Sequence, residues 1–367
     1  MPCEILNELV FHTYDREAES EAQRRLDNIA KPLDGLGGFE RAISRLAGIQ
    51  GSADIDISKR IAVIMCADNG IVEERVSQSS YDVTAKVAAL MSEGAASVCL
   101  MAESAGIDTL PVDIGIKERD GLLESDEITP GDRGHFRLLS RNIAKGTRNF
   151  AKTPAMTEGE FNKAVETGIR LTGGISQLGY KIICTGELGI GNTTTSAALT
   201  AAILHLTAEE TADRGAGLDN EGYRRKTAVI DAAIKYNGLY DVSPEEAARI
   251  AGGLDIAALA GVFIGGAVYG VPVVIDGLIS AASALLAYKM CPLSVKYMLA
   301  SHLGNEKAMK HIMNELGLEP LIHAGMKLGE GTGAVMLIPL LDMALSLYSG
   351  GRSFEDIRIG QYVRPED

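Results

Sequence analysis

The pattern of apolar and polar positions divides the chain into short strand-like runs and longer helical segments. Four runs are short, apolar and rich in β-branched residues: 60–67, 109–114, 181–184 and 271–275. Segments with the apolar spacing of helices separate them, for example residues 82–105 and 222–236. Strands that alternate with helices predict an α/β fold with a parallel, doubly wound sheet flanked by helices.

Each strand-like run ends in a short polar sequence that contains glycine. These sequences are Asp68-Asn-Gly70, Asp113-Ile-Gly115, Thr185-Gly-Glu187 and Asp276-Gly277. The carboxyl ends of parallel strands share one edge of a sheet, where ligands bind. A single Asp-Gly pair more often makes a turn than a site, but four such ends favour one cleft lined by their polar residues.

Both ends of the chain lack strand-like runs and have helical spacing instead. Residues 15–50 are interrupted at 31–38, and residues 303–349 are interrupted at Gly317 and at 329–333. We therefore predict a small helical domain built from residues 1–55 and 300–367, beside a large α/β domain of residues 56–299 that carries the nucleotide site. The polar segment 118–149 is predicted to form loops.

The composition fits a soluble protein with a large core and argues against nucleic acid or membrane as partners. Of 367 residues, 46% are hydrophobic, and 35 Lys+Arg against 49 Asp+Glu give a net charge of −14. An acidic surface disfavours nucleic acid and anionic membranes. The apolar segment 253–275 contains Asp255 and is interrupted by Gly270 and Pro272, which predicts a helix followed by a strand. Its small residues indicate close packing against a sheet or another subunit.

Cysteine and histidine are scattered along the chain. The five cysteines are Cys3, Cys66, Cys99, Cys184 and Cys291, and no two form a Cys-x-x-Cys pair. This favours reduced, buried thiols over disulfides or a zinc site. The six histidines show no recurring ligand spacing, so we expect no metal. The first residues lack the features of a signal peptide, and the cytoplasm is the expected location.

The segment 185–196 leads from a strand-like run into an Ala/Leu-rich helical segment. Its glycines, at 186, 189 and 191, allow backbone N–H groups to approach an anion, and the hydroxyls at 193–196 can cap the helix and bind the same anion. The segment matches neither a Walker A loop nor the dinucleotide fingerprint. Glu187 adds a carboxylate to a loop otherwise suited to phosphate, and an ordinary strand-to-helix turn is the alternative.

A second glycine-rich loop, residues 328–334, holds Glu330 ahead of an apolar helical segment. This glutamate can complement the helix dipole or, facing a cleft, act as a general base. Lys226 is the candidate cation for a phosphate, with a solvated helix end as the alternative. His302 has no nucleophile elbow beside it, which favours a structural role. These residues predict an enzyme that binds a phosphorylated small molecule and uses carboxylate acid/base chemistry.

Several sequence strings, in this order along the chain, resemble the nicotinate-nucleotide–dimethylbenzimidazole phosphoribosyltransferase family. The most specific are Gly-Glu-Leu-Gly-Ile-Gly-Asn-Thr-Thr at 186–194 and Leu-Gly-Glu-Gly-Thr-Gly-Ala at 328–334. The others are Ala-Asp-Asn-Gly-Ile-Val at 67–72, Val-Thr-Ala at 83–85, Gly-Thr-Arg-Asn-Phe-Ala at 146–151, Pro-Ala-Met at 154–156, Asp-Gly at 276–277 and Ser-His at 301–302. The matches span residues 25–345.

The resemblance implies transfer of phosphoribose from nicotinate mononucleotide to 5,6-dimethylbenzimidazole or a similar base. The products are α-ribazole 5′-phosphate and nicotinate, and the reaction belongs to assembly of the cobamide nucleotide loop. The resemblance also implies a Rossmann-like large domain with a small helical domain, a homodimer, and neither a metal nor a cofactor.

The resemblance also assigns roles to individual residues. Glu330 matches the base that takes a proton from the attacking azole. The nucleotide positions are Glu187, Gly189, Gly191 and Lys226, and the base pocket contains Ser79 and Leu328. Further substrate-binding residues expected from the matching strings are Asn192, Thr193, Asp276, Ser301 and His302.

The chain departs from the family pattern at three places. Residues 31–37 and 304–306 differ in loops, whereas Lys86 and Val87 replace a glutamine that commonly follows Val-Thr-Ala. This change predicts a relaxed choice of acceptor, including other benzimidazoles or purines. A nonenzymatic nucleotide-binding regulator is an alternative of another class. Because a sensor needs no base, the presence of both Glu187 and Glu330 argues against it.

Overall fold

Seven parallel strands form a single sheet in the computed structural model, which describes residues 4–128, 132–215 and 217–364. In chain order they are β1 (Arg60–Ala67), β2 (Asp108–Gly115), β3 (Glu124–Ser125), β4 (Leu138–Ser140), β5 (Ile182–Leu188), β6 (Val273–Ile275) and β7 (Met298–Ala300). Their order across the sheet is β3-β4-β2-β1-β5-β6-β7, and all pairings are parallel. The predicted α/β fold is confirmed.

Helices of the described chain flank this sheet and form its two ends. They are α1 (Arg16–Asn28), α2 (Gly38–Gln50), α3 (Asp82–Ser92), α4 (Ser97–Ser104), α5 (Glu158–Gln177), α6 (Asn192–Leu204), α7 (Ala208–Thr211), α8 (Asn220–Asn237), α9 (Pro244–Ala251), α10 (Leu254–Tyr269), α11 (Leu278–Met290), α12 (Lys307–Leu316) and α13 (Thr332–Gly350). Short 3₁₀ helices lie at Glu4–Glu8, Gly70–Glu74, Asp132–Gly134, Leu239–Asp241 and Pro292–Tyr297.

The central strand β1 is buried on both faces, which explains its continuous apolar sequence. Its odd-numbered residues from Ile61 to Met65 join one apolar cluster with side chains of α5, α10 and α11. Its even-numbered residues from Ala62 to Cys66 join a second cluster with side chains of α4 and α13. The sheet is therefore the middle of three layers.

The small residues of α10 allow it to pack closely against α5. A Cβ at Gly168 would lie 2.0 Å from the Ala258 carbonyl oxygen, and one at Gly261 would lie 2.1 Å from the Val165 carbonyl oxygen. The predicted helix-then-strand division of segment 253–275 is confirmed as α10 and β6. Within the described chain, the close partner of these small residues is a neighbouring helix, α5.

The predicted helical segment 82–105 is two helices, because the chain turns between α3 and α4. Gly94 lies at this turn with φ of +71°, a left-handed conformation that ends a helix.

Two stretches of the described chain, Asp82–Ser104 and Thr332–Gly350, are long and apolar enough to cross a membrane by length and composition alone. Both belong to the fold: the first is the broken α3–α4 pair, and the second, α13, packs against β5.

Three strands were not predicted from the sequence. The polar segment 118–149, predicted as loops, contains the short strands β3 and β4, and β7 adds an edge strand. Residues 129–131 of that segment lie outside the described residues. Strands of two or three residues are too short to show the alternation of apolar and polar residues by which a strand is predicted.

The described cysteines agree with the prediction of reduced thiols. Cys66, Cys99, Cys184 and Cys291 are free and buried, whereas Cys3 lies outside the described residues.

The helices at the two ends of the chain pack on one another, and Leu26 of α1, Ile43 of α2 and Ala344 of α13 share an apolar cluster.

The chain changes direction across the sheet at β1, because β2 lies on one side of it and β5 on the other. The backbone N–H of Asn69, just after β1, donates to the carbonyl of Ile190, just after β5, over 3.1 Å. In such sheets ligands bind in the crevice outside the carboxyl ends of the strands at this point. The fold thus places the loop after β5 where a ligand is expected.

Candidate active site

The loop after β5 is shaped by glycines that permit close backbone contacts. A Cβ at Gly189 would lie 2.1 Å from the Ala67 carbonyl oxygen, so the loop can cross the end of β1 only with glycine there. Gly191 has φ of +95° and occupies the N-cap position of α6. Asn192, the first residue of α6, donates from its amide to the Glu187 carboxyl group. The N-terminus of α6 therefore faces the site with its first N–H groups.

The hydroxyls at 193–196 lie inside α6 and do not act as a cap, contrary to the prediction. The helix begins one residue earlier, at Asn192, and makes no side-chain cap hydrogen bond. Thr194, Thr195 and Ser196 are fully buried, and the Thr195 hydroxyl donates to the Asn192 carbonyl over 2.8 Å. Thr193 alone of the four directs its hydroxyl at a candidate ligand-binding side chain, that of Lys226.

Lys226 lies within α8 and is 1% exposed, so the alternative of a solvated helix end is wrong. Its ammonium donates to the Thr193 hydroxyl over 2.9 Å. Burial lowers the pKa of Lys226 to about 8, while the carboxylates of Asp213 and Glu306 act in the other direction. No salt bridge among the described residues engages this ammonium. It is a buried cation that an anionic ligand would neutralise.

A small cavity of about 70 Å³ lies between the β5 loop and two neighbouring segments. It is lined by Ser79 from the segment before α3, by Gly189, Gly191, Asn192 and Thr193, and by Arg214 and Gly215 before α8. Its position at the N-terminus of α6, beside the glycines of the loop, suits a phosphate group. The predicted residues Ser79, Gly189, Gly191, Asn192 and Thr193 thus meet at one place.

The carboxyl group of Glu187 lies among other buried acids. Burial, together with the nearby Asp255 and Asp276, raises its pKa to about 8, and the Asn192 hydrogen bond acts in the opposite direction. Burial also raises the pKa of Asp255 to about 7. Its Oδ2 has no hydrogen-bond partner in the structure, and an added Cβ at Gly189 would lie 3.2 Å from that atom. At neutral pH, Glu187 is therefore mostly protonated.

Glu330 is held differently, in the loop before α13. Its backbone has φ of +62°, in the left-handed region that residues other than glycine seldom adopt. Its Oε2 accepts the backbone N–H of Val98, in the first turn of α4, over 3.1 Å. Burial raises the pKa of Glu330 and Asp276 adds to this, while the Val98 N–H acts in the opposite direction. No described residue donates a hydrogen bond to Oε1, so this oxygen is free for a ligand.

The end of β5 packs directly on the Glu330 loop, and Gly186 and Glu187, which were predicted to lie in a loop, are residues of that strand. A Cβ at Gly186 would lie 2.5 Å from the Glu330 carbonyl oxygen, and one at Gly331 would lie 3.0 Å from the Thr185 carbonyl oxygen. A Cβ at Gly329 would lie 3.0 Å from Oε1 of Glu187. The glycines therefore allow the two glutamates to lie at one site, although they are far apart in sequence.

Asp276, which follows β6, holds the Glu330 loop in place through hydrogen bonds to its backbone. Its carboxylate accepts the N–H groups of Gly331, Gly333 and Ala334 at 3.2, 2.8 and 3.0 Å. His302 is buried beside it, with Nδ1 3.0 Å from the Ser301 hydroxyl and 4.0 Å from Asp276 Oδ1. A Cβ at Gly333 would lie 2.0 Å from His302 Nδ1. Asp276, Ser301 and His302 therefore pack beneath the Glu330 loop, and the substrate-binding role expected for them from the resemblance stays a prediction.

Other predicted positions are less closely tied to this centre. Leu328 is 56% exposed at the start of the Glu330 loop. Asp113 is held by the Asn142 amide, the Ile116 N–H and the Arg119 guanidinium, which gives it a structural role. Asp68 accepts from the Thr84 hydroxyl at 2.6 Å and from the Lys117 N–H at 2.9 Å. We predicted that the polar residues after all four strands line one cleft. Those at the ends of β5 and β6 contact the Glu330 loop directly, whereas Asp68 and Asp113 are held by other partners.

Two residues of the site were not singled out from the sequence. Arg214 lines the same cavity as Gly189 and Gly191, and the Gly-Ala-Gly that follows it in the sequence is a signal for a loop there. Asp255 lies next to Gly189 and Glu187, although in the sequence it is visible only as a charge that interrupts an apolar segment. Over residues 4–128, 132–215 and 217–364, no group of three or more His, Cys, Asp or Glu is placed to hold a metal ion.

A larger groove of about 960 Å³ lies at the other edge of the sheet. It is lined by Arg60 at the start of β1 and by residues of α1 and α13, including Arg25 and Asp342. Arg60 and Asp342 form a salt bridge of 2.7 Å there. None of the predicted site residues lines this groove, and the amino ends of parallel strands are not where such folds bind ligands.

Comparison with known proteins places the chain among phosphoribosyltransferases. A family model described as phosphoribosyltransferase matches residues 11–359. The nicotinate-nucleotide–dimethylbenzimidazole phosphoribosyltransferases of Acetivibrio thermocellus and Clostridium acetobutylicum are 40% and 38% identical over 347 and 348 residues, and each match covers 95% of both proteins. The crystal structure of CobT from Thermus thermophilus superposes with a TM-score of 0.85 at 34% identity, covering 94% of this chain and 100% of that one.

Proposed function

This chain belongs to the nicotinate-nucleotide–dimethylbenzimidazole phosphoribosyltransferase family, and we propose that it transfers phosphoribose from nicotinate mononucleotide to 5,6-dimethylbenzimidazole or a similar base. A bond forms between a base nitrogen and C1′ of the ribose, and the bond from C1′ to the pyridinium nitrogen breaks. The azole proton passes to the enzyme. The products are α-ribazole 5′-phosphate and nicotinate, for use in cobalamin biosynthesis.

The free oxygen of Glu330, beside the donor loop, is the observation that carries this proposal. Oε1 has no donor among the described residues, and the backbone of Glu330 packs on Gly186. A carboxylate so placed can take the azole N–H proton and make the other ring nitrogen more nucleophilic. Nicotinate leaves from a cationic pyridinium and needs no proton. Attack from the opposite face inverts C1′ and gives the α-linkage.

On the donor side, we propose that the cavity around Gly189 and Gly191 takes the 5′-phosphate. The first N–H groups of α6 and the Lys226 ammonium supply positive charge there, and Arg214 adds a second cation at the rim. Thr193 orients Lys226. The protonated Glu187, oriented by Asn192, can donate a hydrogen bond to the donor nucleotide.

On the acceptor side, we propose that Leu328 lines the base pocket, because its exposed side chain offers an apolar surface at the start of the Glu330 loop. The half-buried Ser79, which the family resemblance assigns to the base pocket, lines the cavity around Gly189 and Gly191, so we propose that it contacts the donor. Asp276, Ser301 and His302 hold the Glu330 loop in place. They act through Glu330.

We also propose that the acceptor is not limited to 5,6-dimethylbenzimidazole. The Lys86 side chain points to solvent and pairs with Asp82 at 2.5 Å, so it does not contribute to an apolar pocket. The half-buried Val87 of α3 is therefore the residue of this pair that can alter the shape of an apolar acceptor site. A competition assay with equal concentrations of 5,6-dimethylbenzimidazole, benzimidazole and adenine tests this. Use of 5,6-dimethylbenzimidazole alone would reject it.

The direct test of the proposed reaction is to incubate the protein with nicotinate mononucleotide and 5,6-dimethylbenzimidazole. We expect nicotinate release together with one equivalent of α-ribazole 5′-phosphate, separated by chromatography. A regulator would bind the nucleotide without releasing nicotinate, and that outcome would reject the enzyme assignment. Another base or donor would change the identity of the product peak.

We further propose that the protein works in the cytoplasm as a homodimer. The four described cysteines are free thiols, as a reducing compartment would keep them. The packed helices α4 and α13 expose Leu100, Met336 and Met343, which are 61%, 40% and 62% exposed. A second subunit would cover such apolar side chains. Sedimentation velocity would test this, and a monomer at micromolar concentration would contradict it.

A further inference from the structure

The helix α4 has no cap of its own. Its N-cap residue is Ala96, which makes no side-chain hydrogen bond to the first turn. The first N–H groups of a helix have no partner within the helix and need one from elsewhere. For Val98, the partner is the carboxylate of Glu330, 232 residues away in the chain. A residue proposed to act in catalysis therefore also caps a helix.

The surroundings of Glu330 contain acids and no paired cation. Asp276 and Glu187 face it from the ends of β6 and β5, and the Cys99 thiol faces it from α4. No salt bridge of the described residues includes Glu330. Burial and the neighbouring carboxyl groups thus disfavour its ionised form, and the Val98 N–H favours that form.

We propose that the first turn of α4 is a positioning element of the active site: its Val98 N–H binds and fixes Oε2 of Glu330, so that Oε1 is left to take the acceptor proton. This rests on the proposed function, in which Glu330 is the base. The position of α4 is itself fixed by its packing against α13, which begins two residues after Glu330.

The pH dependence distinguishes this role from simple support. If Glu330 must be ionised, kcat/KM rises with pH through the pKa of Glu330 and is level above it. Loss of the Val98 N–H raises that pKa, so the acidic limb moves to higher pH by about one pH unit. Activity then falls by about tenfold on the acidic limb and recovers at high pH. A structural defect would instead lower activity by the same factor at every pH.

The sharpest experiment replaces the Val98 amide by an ester, using the α-hydroxy analogue of valine in cell-free translation. This removes the N–H and keeps the buried side chain. The matched control is the same change at Ser97, whose N–H does not contact Glu330. We expect the shifted acidic limb only for the change at Val98. An unshifted profile, or a loss that is uniform with pH, would overturn the proposal.

A second variant, Ala96→Ser, tests the same point without altering the backbone. The serine hydroxyl can accept an N–H of the first turn of α4 and compete with Glu330. We expect an equal or higher melting temperature together with a shifted acidic limb; a higher melting temperature with an unchanged profile would overturn the proposal. Glu330→Gln separates the two hypotheses. Full activity of Glu330→Gln rejects the proposed base, whereas an inactive Glu330→Gln beside a normal Val98 ester rejects the α4 role alone.

Discussion

Glu187 is buried near the end of β5, Glu330 is half-buried in the loop before α13, and their hydrogen-bond partners differ. Glu187 lies next to Asp255 and Asp276, and its pKa of about 8 leaves it mostly protonated at neutral pH. Burial raises the pKa of Glu330 as well, but Oε2 accepts the Val98 N–H, which favours the carboxylate, and Oε1 has no donor among the described residues. The physical surroundings thus support Glu330 as the base and Glu187 as a hydrogen-bond donor.

Glu330→Gln removes the base and keeps the size of the side chain. We expect kcat to fall by about 10²- to 10⁴-fold, because that is the usual contribution of a general base. Binding of nicotinate mononucleotide, followed by calorimetry, should change little. Glu319→Gln, an exposed glutamate that pairs with Arg41, is the control and should keep full activity. A Glu330→Gln enzyme with normal nicotinate release would contradict the assignment.

Lys226→Met tests the phosphate site. Loss of a charged hydrogen bond should raise the KM for nicotinate mononucleotide by about 10- to 100-fold, with a smaller effect on kcat. Lysine is charged below its pKa, and burial lowers the pKa of Lys226 to about 8. The wild-type KM should therefore rise above pH 8, and the KM of the variant should be flat there. The exposed Lys235 of α8 provides the control Lys235→Met; equal KM values for wild type and Lys226→Met would rule out the phosphate role.

At this scale, sequence could predict which loops carry chemistry but not which side chains face the ligand. The strings at 186–194 and 328–334 indicated both glutamates and the glycines. They could not show that α6 begins at Asn192 and buries the hydroxyls of Thr194, Thr195 and Ser196. Arg214 and Asp255 join the site through tertiary packing, which spacing along one segment does not encode.

Among the elements, the contact between the end of β5 and the Glu330 loop depends on glycine, which has no side chain. In Gly186→Ala the new Cβ would lie 2.5 Å from the Glu330 carbonyl oxygen and 2.8 Å from its carbon. The strand end and the loop must then separate, and a displacement of about 1 Å can cost about 10²-fold in rate. We expect a folded protein with strongly reduced kcat. Gly159→Ala, in α5 with nothing within 4 Å of the new Cβ, is the control. Equal activity of the two variants would contradict this account.

Long, strongly patterned elements were predicted well, and short ones were not. The strand β1 and the helices α1, α2 and α8 follow the predicted segments closely. The strands β3, β4 and β7 have two or three residues each and are held by neighbours in the sheet rather than by their own pattern. The break between α3 and α4 depends on Gly94, and it creates the helix start that Glu330 contacts.

In the whole molecule, the terminal helices share a core with the sheet. Leu46 of α2 and Val335 of α13 belong to the same apolar cluster as Ile64 of β1 and Cys184 of β5. The division into residues 1–55 with 300–367 and residues 56–299 therefore stays a prediction. We expect one cooperative transition in differential scanning calorimetry, with equal calorimetric and van't Hoff enthalpies. Two resolved transitions would instead support independently folding domains.

The buried acids Glu187 of β5 and Asp255 of α10 have a consequence for how the empty enzyme exchanges protons with its solution. The pKa values of Glu187 and Asp255, about 8 and about 7, are close to neutrality, so small changes around them alter how many protons they hold. A donor nucleotide brings an anionic phosphate and a cationic ring into their vicinity. Its binding is therefore coupled to proton uptake or release. The heat of binding measured at one pH will then depend on the ionisation enthalpy of the buffer.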